Sequence, residues 1–241
     1  MIQHTNLTKK PVIGNVVKPL LPEQLTSSLW SRLTINDEFR KLVVENQAIP
    51  IGIMPDKYEY HSDLSDVMEP MTDEEYDDLV QVLQTVDGII LQGGLTSDTY
   101  EVEIARYAIC HNIPMIGICA GFNNIARAVD LPLVVKQDLS GIHNVYCVDY
   151  RHPIFVHSDH PYAYLFAAED DFQVNSLHTM FLETNEANNR ISVLAEDMEH
   201  HIEAFTVNCT KFCLAVKWHP EIMDNLASKR LFELFISACK R

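Results

Sequence analysis

Cys119 has the surroundings that best suit a reacting group in this sequence. It lies at the centre of Gly117-Ile118-Cys119-Ala120-Gly121, between an apolar, strand-like segment and the start of a predicted helix. A nucleophile at a tight strand-to-helix turn stands clear of the sheet, and flanking glycines let the two backbones pass closely. The helix N-terminus directs free N–H groups and a positive dipole end at the sulfur, which favours the reactive thiolate. The pattern therefore predicts a nucleophilic cysteine.

A nucleophilic cysteine needs a base, and Trp218-His219-Pro220-Glu221 supplies a candidate. This segment follows residues 212–217, which are predicted to form a buried strand, so His219 would lie at the sheet edge where α/β proteins build their sites. Glu221 can turn back and hold the imidazole in the required tautomer. We therefore predict a catalytic triad of Cys119, His219 and Glu221. The competing interpretation is a small cysteine packed at a junction and an unrelated loop histidine.

A third feature is Gly93-Gly94, which follows the apolar residues 87–91. Two glycines allow backbone N–H groups to approach a substrate oxygen closely. The N–H groups of Gly94 and Ala120 are therefore predicted to form an oxyanion hole. The alternative is an ordinary turn.

The elements that must position these residues alternate between strand-like and helix-like segments. Strands are predicted at residues 11–17, 49–54, 87–91 and 113–118. Helices are predicted from the spacing of Leu25, Leu29, Leu33, Phe39, Leu42 and Val43, from the capping box of Thr72 and Glu75 onward, at residues 98–111, from Ala120 onward, and around Leu231. This order predicts a mostly parallel sheet covered by helices on both faces.

The second half of the sequence is richer in strand-like segments. They lie at residues 145–149, 172–175, 191–195, 202–207 and 212–218. We expect some of them to add antiparallel strands to the sheet.

Length and charge bound the classes of function. The chain has 241 residues, of which 47% are hydrophobic, and one domain over residues 1–241 is expected. A net charge of −16 argues against nucleic acid and membrane surfaces as partners. No run approaches the roughly 20 apolar residues of a membrane helix, and the N-terminus lacks a signal-peptide pattern. We therefore expect a cytoplasmic protein.

The cysteines and histidines show no clear metal pattern. The six cysteines lack the paired spacing of a zinc site. His152, His157 and His160 share no helix face, and His200-His201 is interpreted as a solvated turn. We predict neither a metal nor a cofactor.

Three segments resemble class I glutamine amidotransferases. They are Gly117-Ile118-Cys119-Ala120-Gly121, Asn175-Ser176-Leu177-His178 and Trp218-His219-Pro220-Glu221. Within that family the sequence is most similar to the stand-alone γ-glutamyl hydrolases, particularly the γ-glutamyl-γ-aminobutyrate hydrolases. The resemblance runs through most of the chain and includes residues 87–94.

This resemblance implies a flavodoxin-like three-layer α/β sandwich and an enzyme that hydrolyses γ-glutamyl amides. Cys119 would attack the γ-glutamyl carbonyl, His219 would protonate the departing amine, and Glu221 would orient His219. A small γ-glutamyl substrate would contact six residues. These residues are Gly93, Asn123, Asn175, Ser176, Leu177 and His178.

The sequence departs from the family pattern where substrate would be recognised. Ala120 replaces a common arginine, Asn123 replaces a glutamine, and Thr179-Met180 replaces His-Gln. The segment between Gly94 and Asp98 is also short for a γ-glutamyl hydrolase. These departures predict an active enzyme with an altered leaving group.

Two other functions stay open at this point. The chain could be a glutaminase subunit that delivers ammonia to a separate synthetase partner, or a non-catalytic binding module on the same fold. The sequence also leaves open whether two copies form a homodimer.

Overall fold

The computed structural model describes residues 9–19, 32–56, 61–62, 68–136, 141–143, 145, 147, 149–167, 172–182 and 189–240. Within these ranges the strands are β1 (Val12–Val16), β2 (Lys18–Pro19), β3 (Leu33–Thr34), β4 (Ile49–Ile53), β5 (His61–Ser62), β6 (Gly88–Leu91), β7 (Thr96–Ser97), β8 (Met115–Ile118), β9 (Leu133–Val135), β10 (His152–Pro153), β11 (Phe155–Val156), β12 (Gln173–Val174), β13 (Met180–Leu182), β14 (Ile191–Glu196), β15 (Ile202–Val207) and β16 (Cys213–Val216). The α-helices are α1 (Asp37–Glu45), α2 (Asp73–Leu83), α3 (Thr99–Cys110), α4 (Ala120–Ala128) and α5 (Leu226–Cys239).

The central sheet has eight strands in the order β11-β14-β15-β16-β8-β6-β1-β4. The five strands from β16 to β4 in this order run parallel to one another. The other three, β15, β14 and β11, extend the sheet by antiparallel pairing. The predicted parallel sheet with antiparallel additions in the second half is therefore confirmed.

Apolar side chains alternate between the two faces of the sheet, as the two-residue period of a strand requires. In β6, Ile90 belongs to one hydrophobic cluster, whereas Ile89 and Leu91 belong to the other. The first cluster includes side chains of α1 and α5, and the second includes side chains of α2, α3 and α4. Helices thus cover both faces, which gives the predicted flavodoxin-like three-layer sandwich.

Helix α2 begins where the capping box predicts. The hydroxyl of Thr72 accepts from the backbone N–H of Glu75 (3.2 Å), and the backbone N–H of Thr72 donates to the Glu75 carboxylate (2.7 Å). Each of the two bonds gives an acceptor to a backbone N–H group that has none within the helix. Among the described residues, no helix is both long and apolar enough to cross a membrane.

Two segments differ from the sequence prediction. The helix predicted from residue 25 begins only at Asp37, while Leu33 lies in the short strand β3; residues 25 and 29 lie outside the described ranges. The described positions in 145–149 form no strand. The N–H of Val145 donates to Ser176 O (3.0 Å), and the N–H of Cys147 donates to Val145 O (2.7 Å) in a local turn. The strand predicted at 172–175 is β12, which pairs with β10 outside the central sheet.

Candidate active site

Three adjacent strands of the sheet carry the predicted site. β16, β8 and β6 are neighbours and run parallel, so their carboxyl ends meet at one edge. His219 follows β16, Cys119 follows β8 and Gly93 follows β6. The topology therefore brings together residues that are up to 126 positions apart (219 − 93) in the sequence.

The backbone of Cys119 is held in an unusual conformation. Its φ is 54° and its ψ is −103°, a region that non-glycine residues rarely occupy. Its N–H donates to Val216 O of the neighbouring strand (3.0 Å), and its carbonyl accepts from Asn123 N in α4 (3.3 Å). Such a backbone persists only where its surroundings fix it, and strained residues of this kind concentrate at functional sites.

The two glycines of the turn allow strand and helix to pack closely. A Cβ on Gly117 would lie 2.6 Å from the carbonyl oxygen of Gly121. A Cβ on Gly121 would collide with the carbonyl group of Leu91 in β6. Both obstacles are backbone atoms, which cannot swing aside as a flexible side chain can. This is the structural reason for the Gly-x-Cys-x-Gly spacing.

His219 lies between Cys119 and Glu221. Its Nδ1 is 2.7 Å from Glu221 Oε1, and its ring also hydrogen-bonds the Cys119 side chain. A Cβ on Gly93 would come within 2.6 Å of His219 Cε1 and 3.2 Å of Cys119 Cβ, so this glycine leaves the space that the imidazole fills. The structure thus brings the three predicted triad residues together with Gly93.

The electrostatic surroundings favour the charged imidazolium. Burial alone would lower the pKa of His219, but the Glu221 carboxylate and the Cys119 sulfur raise this pKa well above its usual value. The Glu221 side chain is only 2% exposed, so little water screens its charge. A protonated His219 beside Cys119 can stabilise a thiolate and can later give its proton to a leaving group.

Asn175 holds the backbone of His219. Its Nδ2 donates to His219 O (3.0 Å), and its Oδ1 accepts from His219 N (2.8 Å). These two bonds hold the His219 backbone on both sides, because its N–H and its C=O belong to the two peptide groups that flank this residue. Asn175 was predicted to contact substrate; in the structure its amide is engaged with the catalytic segment.

Of the two predicted oxyanion-hole residues, Ala120 directly follows Cys119 and Gly94 directly follows Gly93. Ala120 is the first residue of α4, so the helix itself does not use its N–H. Gly94 packs against the stem of Lys18, because a Cβ on Gly94 would lie 3.3 Å from two Lys18 side-chain carbons. The Lys18 ammonium is buried and pairs with Glu101 at 2.6 Å, and the Glu101 carboxylate also accepts from the N–H of Asp98 (3.1 Å). This ion pair braces the segment that carries Gly94.

Asn123 contacts two residues at the edge of the site. Its Oδ1 accepts from the ammonium of Lys217, and its Nδ2 lies 3.4 Å from Met180 Sδ. Lys217 is 1% exposed and lies 4.8 Å from the centroid of the Phe122 ring. Two of the positions that depart from the family pattern, Asn123 and Met180, are therefore in contact with each other. Their role toward a substrate stays a prediction.

The rest of the 175–178 segment lies against buried polar groups. Ser176 Oγ is 2.9 Å from His143 Nδ1, and His178 Nε2 is 3.4 Å from a Glu203 oxygen. Leu177 is partly buried between them. As with Asn175, the assignment of Ser176, Leu177 and His178 to substrate binding stays a prediction.

The interpretation of His200-His201 as a solvated turn is half wrong. His200 is exposed, but His201 is 2% exposed and its Nδ1 lies 2.7 Å from Asp197 Oδ2. Neighbouring residues of a turn project in different directions, and only the second of them reaches the interior.

Sequence reasoning missed the buried charges around the site. Lys18, Glu101, Lys217 and Glu203 are each at most 5% exposed. One signal could have found Glu203 and Lys217, since each interrupts or directly follows an apolar strand. Their partners could not be read from the sequence, because Lys18 and Glu101 are 83 residues apart and Lys217 and Asn123 are 94 apart.

A comparison with protein families gives a match to Peptidase C26 over residues 95–221, which is more than half of the chain. The protein belongs to the Peptidase C26 family. The matched region includes Cys119, His219 and Glu221, and it begins just after Gly93 and Gly94. A peptidase hydrolyses amide bonds, and the family assignment thus supports an amide hydrolase. A search of curated protein sequences gives no significant match.

Several solved structures have the same fold as this chain. A putative GMP synthase subunit protein from Thermoplasma acidophilum has a TM-score of 0.63 at 16% identity, with 96% of this chain and 95% of that chain covered. The glutaminase domain of Trypanosoma brucei CTPS with bound acivicin has a TM-score of 0.64 at 14% identity, with 95% and 94% covered. A glutamine amidotransferase from Thermotoga maritima has a TM-score of 0.57 at 12% identity, with 88% and 77% covered. At these identities the likeness concerns the fold.

Proposed function

We propose that this Peptidase C26 member is a cysteine hydrolase that cleaves γ-glutamyl amide bonds of small molecules. The observation that carries the proposal is the arrangement of Cys119 at a strained strand-to-helix turn, beside a histidine that a buried carboxylate holds. The family assignment supports amide hydrolysis, and the resemblance to γ-glutamyl hydrolases supports the γ-glutamyl group as the acyl part.

The reaction begins when the Cys119 thiolate attacks the γ-carbonyl carbon. The N–H groups of Gly94 and Ala120 would stabilise the oxyanion of the tetrahedral intermediate. As the C–N bond breaks, the protonated His219 gives its proton to the departing amine, which leaves a glutamyl thioester on Cys119.

Water completes the cycle. The neutral His219 takes a proton from a water molecule, whose oxygen then bonds to the thioester carbonyl carbon. The C–S bond breaks, glutamate is released, and the thiolate and imidazolium are restored. Glu221 keeps the imidazole oriented through both steps and stabilises its positive charge.

The leaving amine is expected to differ from γ-aminobutyrate. Ala120, Asn123 and Thr179-Met180 depart from the family pattern, and Asn123 contacts both Met180 and the buried Lys217. A change at Asn123 or at Met180 therefore alters the surroundings of the other residue. Rates on a panel of γ-glutamyl amides test this point, and a profile that matches ordinary γ-glutamyl-γ-aminobutyrate hydrolysis would contradict it.

The decisive experiment compares wild type with Cys119→Ala on glutamine and on a panel of γ-glutamyl amines. We expect hydrolysis by wild type and a loss of about 10³-fold or more in Cys119→Ala, because the nucleophile is removed. Cys110→Ala is the matched control, since Cys110 is an exposed cysteine at the end of α3. Acid quenching during turnover should trap a glutamyl adduct on Cys119, detectable by peptide mass spectrometry. Hydrolysis that survives in Cys119→Ala would exclude the mechanism.

A second candidate is a glutaminase subunit that passes ammonia to a synthetase. It is favoured by the near-complete overlap in fold with a CTPS glutaminase domain and with the putative GMP synthase subunit protein. A glutaminase rate that rises only when a co-purified partner is added would support this candidate over the free-standing hydrolase. If Cys119→Ala keeps every biological activity of the protein, the fold serves instead as a binding module.

A further inference from the structure

A group of buried histidines and carboxylates lies beyond the catalytic triad. It consists of six residues that are each at most 6% exposed: His143, His152, His178, Asp197, His201 and Glu203. We call this group the histidine–carboxylate cluster. None of its members performs a step of the proposed reaction, and only His178 is predicted to contact the substrate. Such a concentration of imidazole and carboxylate inside a protein calls for a compensating partner.

Three members converge on one point. His143, His152 and Glu203 each offer a donor atom, and these atoms all lie within 4.8 Å of one another. They come from a loop, from β10 and from β15, so the tertiary structure alone brings them together. In a tetrahedral zinc site with bonds of about 2.0–2.2 Å, neighbouring donors are roughly 3.3 Å apart. Small side-chain rotations would close the remaining difference.

Two of the three residues at this point offer donor atoms without a hydrogen-bond partner in the described part of the chain. His152 Nε2 and both carboxylate oxygens of Glu203 are buried and make no hydrogen bond within the described part of the chain. Glu203 is completely buried, and the nearest imidazole nitrogen of His178 lies 3.4 Å away without the geometry of a hydrogen bond. A cation bound between His152 Nε2 and the Glu203 carboxylate would give both of these groups a partner.

The Asp197 carboxylate orients the third proposed ligand, His143. His143 Nε2 lies 3.1 Å from Asp197 Oδ2, which is also 2.7 Å from His201 Nδ1. An Nε2–H that donates to Asp197 leaves the Nδ1 lone pair of His143 as an acceptor. It accepts from Ser176 Oγ (2.9 Å) and lies 4.0 Å from a Glu203 oxygen, so a bound ion would replace the Ser176 hydrogen bond. Metal-bound histidines commonly donate their second N–H to a carboxylate in this way.

A neighbouring trio is a poorer candidate. His143, Asp197 and His201 also lie close enough to hold an ion. However, Asp197 already accepts from both rings and from the backbone N–H of His201 (2.8 Å). Lys136 Nζ lies 2.7 Å from His201 Nε2, and its ammonium repels a second cation. This trio therefore serves to support His143.

We propose that His143, His152 and Glu203 bind one divalent transition-metal ion of the Zn²⁺ type. Two imidazoles and a carboxylate form a donor set that zinc uses in proteins, with a fourth position left for water or a further side chain. The buried ammonium of Lys217 acts on Glu203 as well, so the affinity is expected to be lower than that of an otherwise identical site without it.

The ion would have a structural role. It would tie the loop of His143 to β10 and β15, beside Ser176, whose hydroxyl lies 2.9 Å from His143 Nδ1 and which is the neighbour of Asn175. Since Asn175 holds the His219 backbone, the ion would steady the support of the catalytic histidine from behind. This role does not depend on which amide the enzyme hydrolyses.

The test measures metal binding on the full-length protein and needs no substrate. Chelator-treated wild type is titrated with Zn²⁺ and with Co²⁺, and bound metal is counted by mass spectrometry while the Co²⁺ absorption spectrum reports the ligands. We expect about one ion per chain and a higher Tm with metal than with chelator. Glu203→Gln and His152→Asn should each weaken binding at least about tenfold.

The matched controls are His157→Asn and Glu196→Gln. His157 and Glu196 face each other at 3.5 Å outside the three proposed ligands, and the His157 ring is 40% exposed. Both variants should bind metal as wild type does. Cys119→Ala should also keep full binding, and because it is inactive under the proposed function, metal binding and catalysis fail independently.

Three results would overturn the site. They are no binding by wild type, binding that both Glu203→Gln and His152→Asn retain, and binding that Cys119→Ala removes. If Glu203→Gln does not fold, His152→Asn and the wild-type titration still decide the matter.

Discussion

At the scale of single residues, the charge of Glu221 governs the behaviour of His219. The carboxylate is 2.7 Å from Nδ1 and almost fully buried, so it acts on the imidazole with little screening. Burial opposes the charged imidazole, yet the net effect is a pKa of His219 well above its usual value of 6.5. Under the proposed function, the charge that prepares a proton for the leaving amine therefore also stabilises the folded state.

Glu221→Gln tests this coupling because it keeps the shape of the side chain and removes its charge. The His219 pKa should fall, and kcat/KM should fall by about 10²–10⁴-fold, since the imidazole loses both orientation and charge stabilisation. The cysteine would remain in place, so iodoacetamide should still label Cys119. A variant with wild-type kcat/KM would show that Glu221 has no role in the reaction.

The same variant makes a prediction about stability. Because the folded pKa of His219 is above the unfolded value, its contribution is fully present below about pH 6.5 and is lost as pH rises through the folded pKa. Wild type should therefore lose stability over this window more steeply than Glu221→Gln. Urea unfolding from about pH 6 to about pH 9 measures how steeply the free energy of unfolding falls with pH in each protein. Parallel slopes would contradict the raised pKa.

Local motifs point to the candidate reacting residues but not to the buried charges around them. Cys119 and His219 can be found from the sequence because the residues next to each of them have a recognisable chemical role. Lys18 gives no such signal, because its partner Glu101 and its contact with Gly94 arise only when β1 and the 93–101 segment meet. Long-range pairs of this kind depend on the tertiary structure.

At the scale of elements, the approach of α4 to β8 and to β6 depends on two positions without a side chain. A Cβ at Gly121 would strike the carbonyl group of Leu91, and Gly117 faces the carbonyl oxygen of Gly121. The turn that carries Cys119 can form only if the strand and helix keep this distance. The glycines thus serve the catalytic geometry through packing.

Gly121→Ala should destabilise the protein by about 2–5 kcal/mol, because the added methyl group meets backbone that cannot move aside. The urea midpoint measures the loss. Gly141→Ala is the matched control, since no atom lies within 4 Å of the Cβ it would add. The control should stay within about 0.5 kcal/mol of wild type. Equal midpoints for the two variants would refute the packing argument.

Asn175 links a second element to the site. Asn175→Ala removes both hydrogen bonds to the His219 backbone, so the free energy of unfolding should fall by about 1–3 kcal/mol. We also expect kcat to fall by about tenfold or more, because the imidazole is less well placed. Asn208→Ala is the control, since Asn208 also makes two side-chain hydrogen bonds, to Ser192 and Asn189 in another part of the fold. A loss of stability with unchanged kcat would confine Asn175 to a structural role.

At the scale of the whole molecule, the alternation of strands and helices predicts the three layers well. The two-residue period of β6 and the capping box at Thr72 agree with the structure because they depend on local physics. The short ribbons do not follow from local pattern. β10 and β12 have two residues each and exist only because distant segments pair. The strand predicted at 145–149 has no partner strand at its described positions.

The net charge of −16 bears on the choice of substrate. An oligo-γ-glutamate carries one carboxylate for every residue, so its approach is opposed by the field of the protein, whereas a γ-glutamyl amide of a neutral or cationic amine is not repelled in this way. Under the proposed function, short substrates should have the higher kcat/KM at low ionic strength.

Salt separates this field from contacts inside the site. Raising ionic strength from about 0.01 M to about 0.15 M shortens the Debye length from roughly 30 Å to 8 Å, which screens long-range repulsion but leaves buried contacts nearly unchanged. We expect kcat/KM for oligo-γ-glutamate to rise several-fold over this range, while the value for a small γ-glutamyl amide changes by less than about twofold. If oligo-γ-glutamate is instead the faster substrate at low salt, a locally basic approach to Cys119 must outweigh the acidic surface.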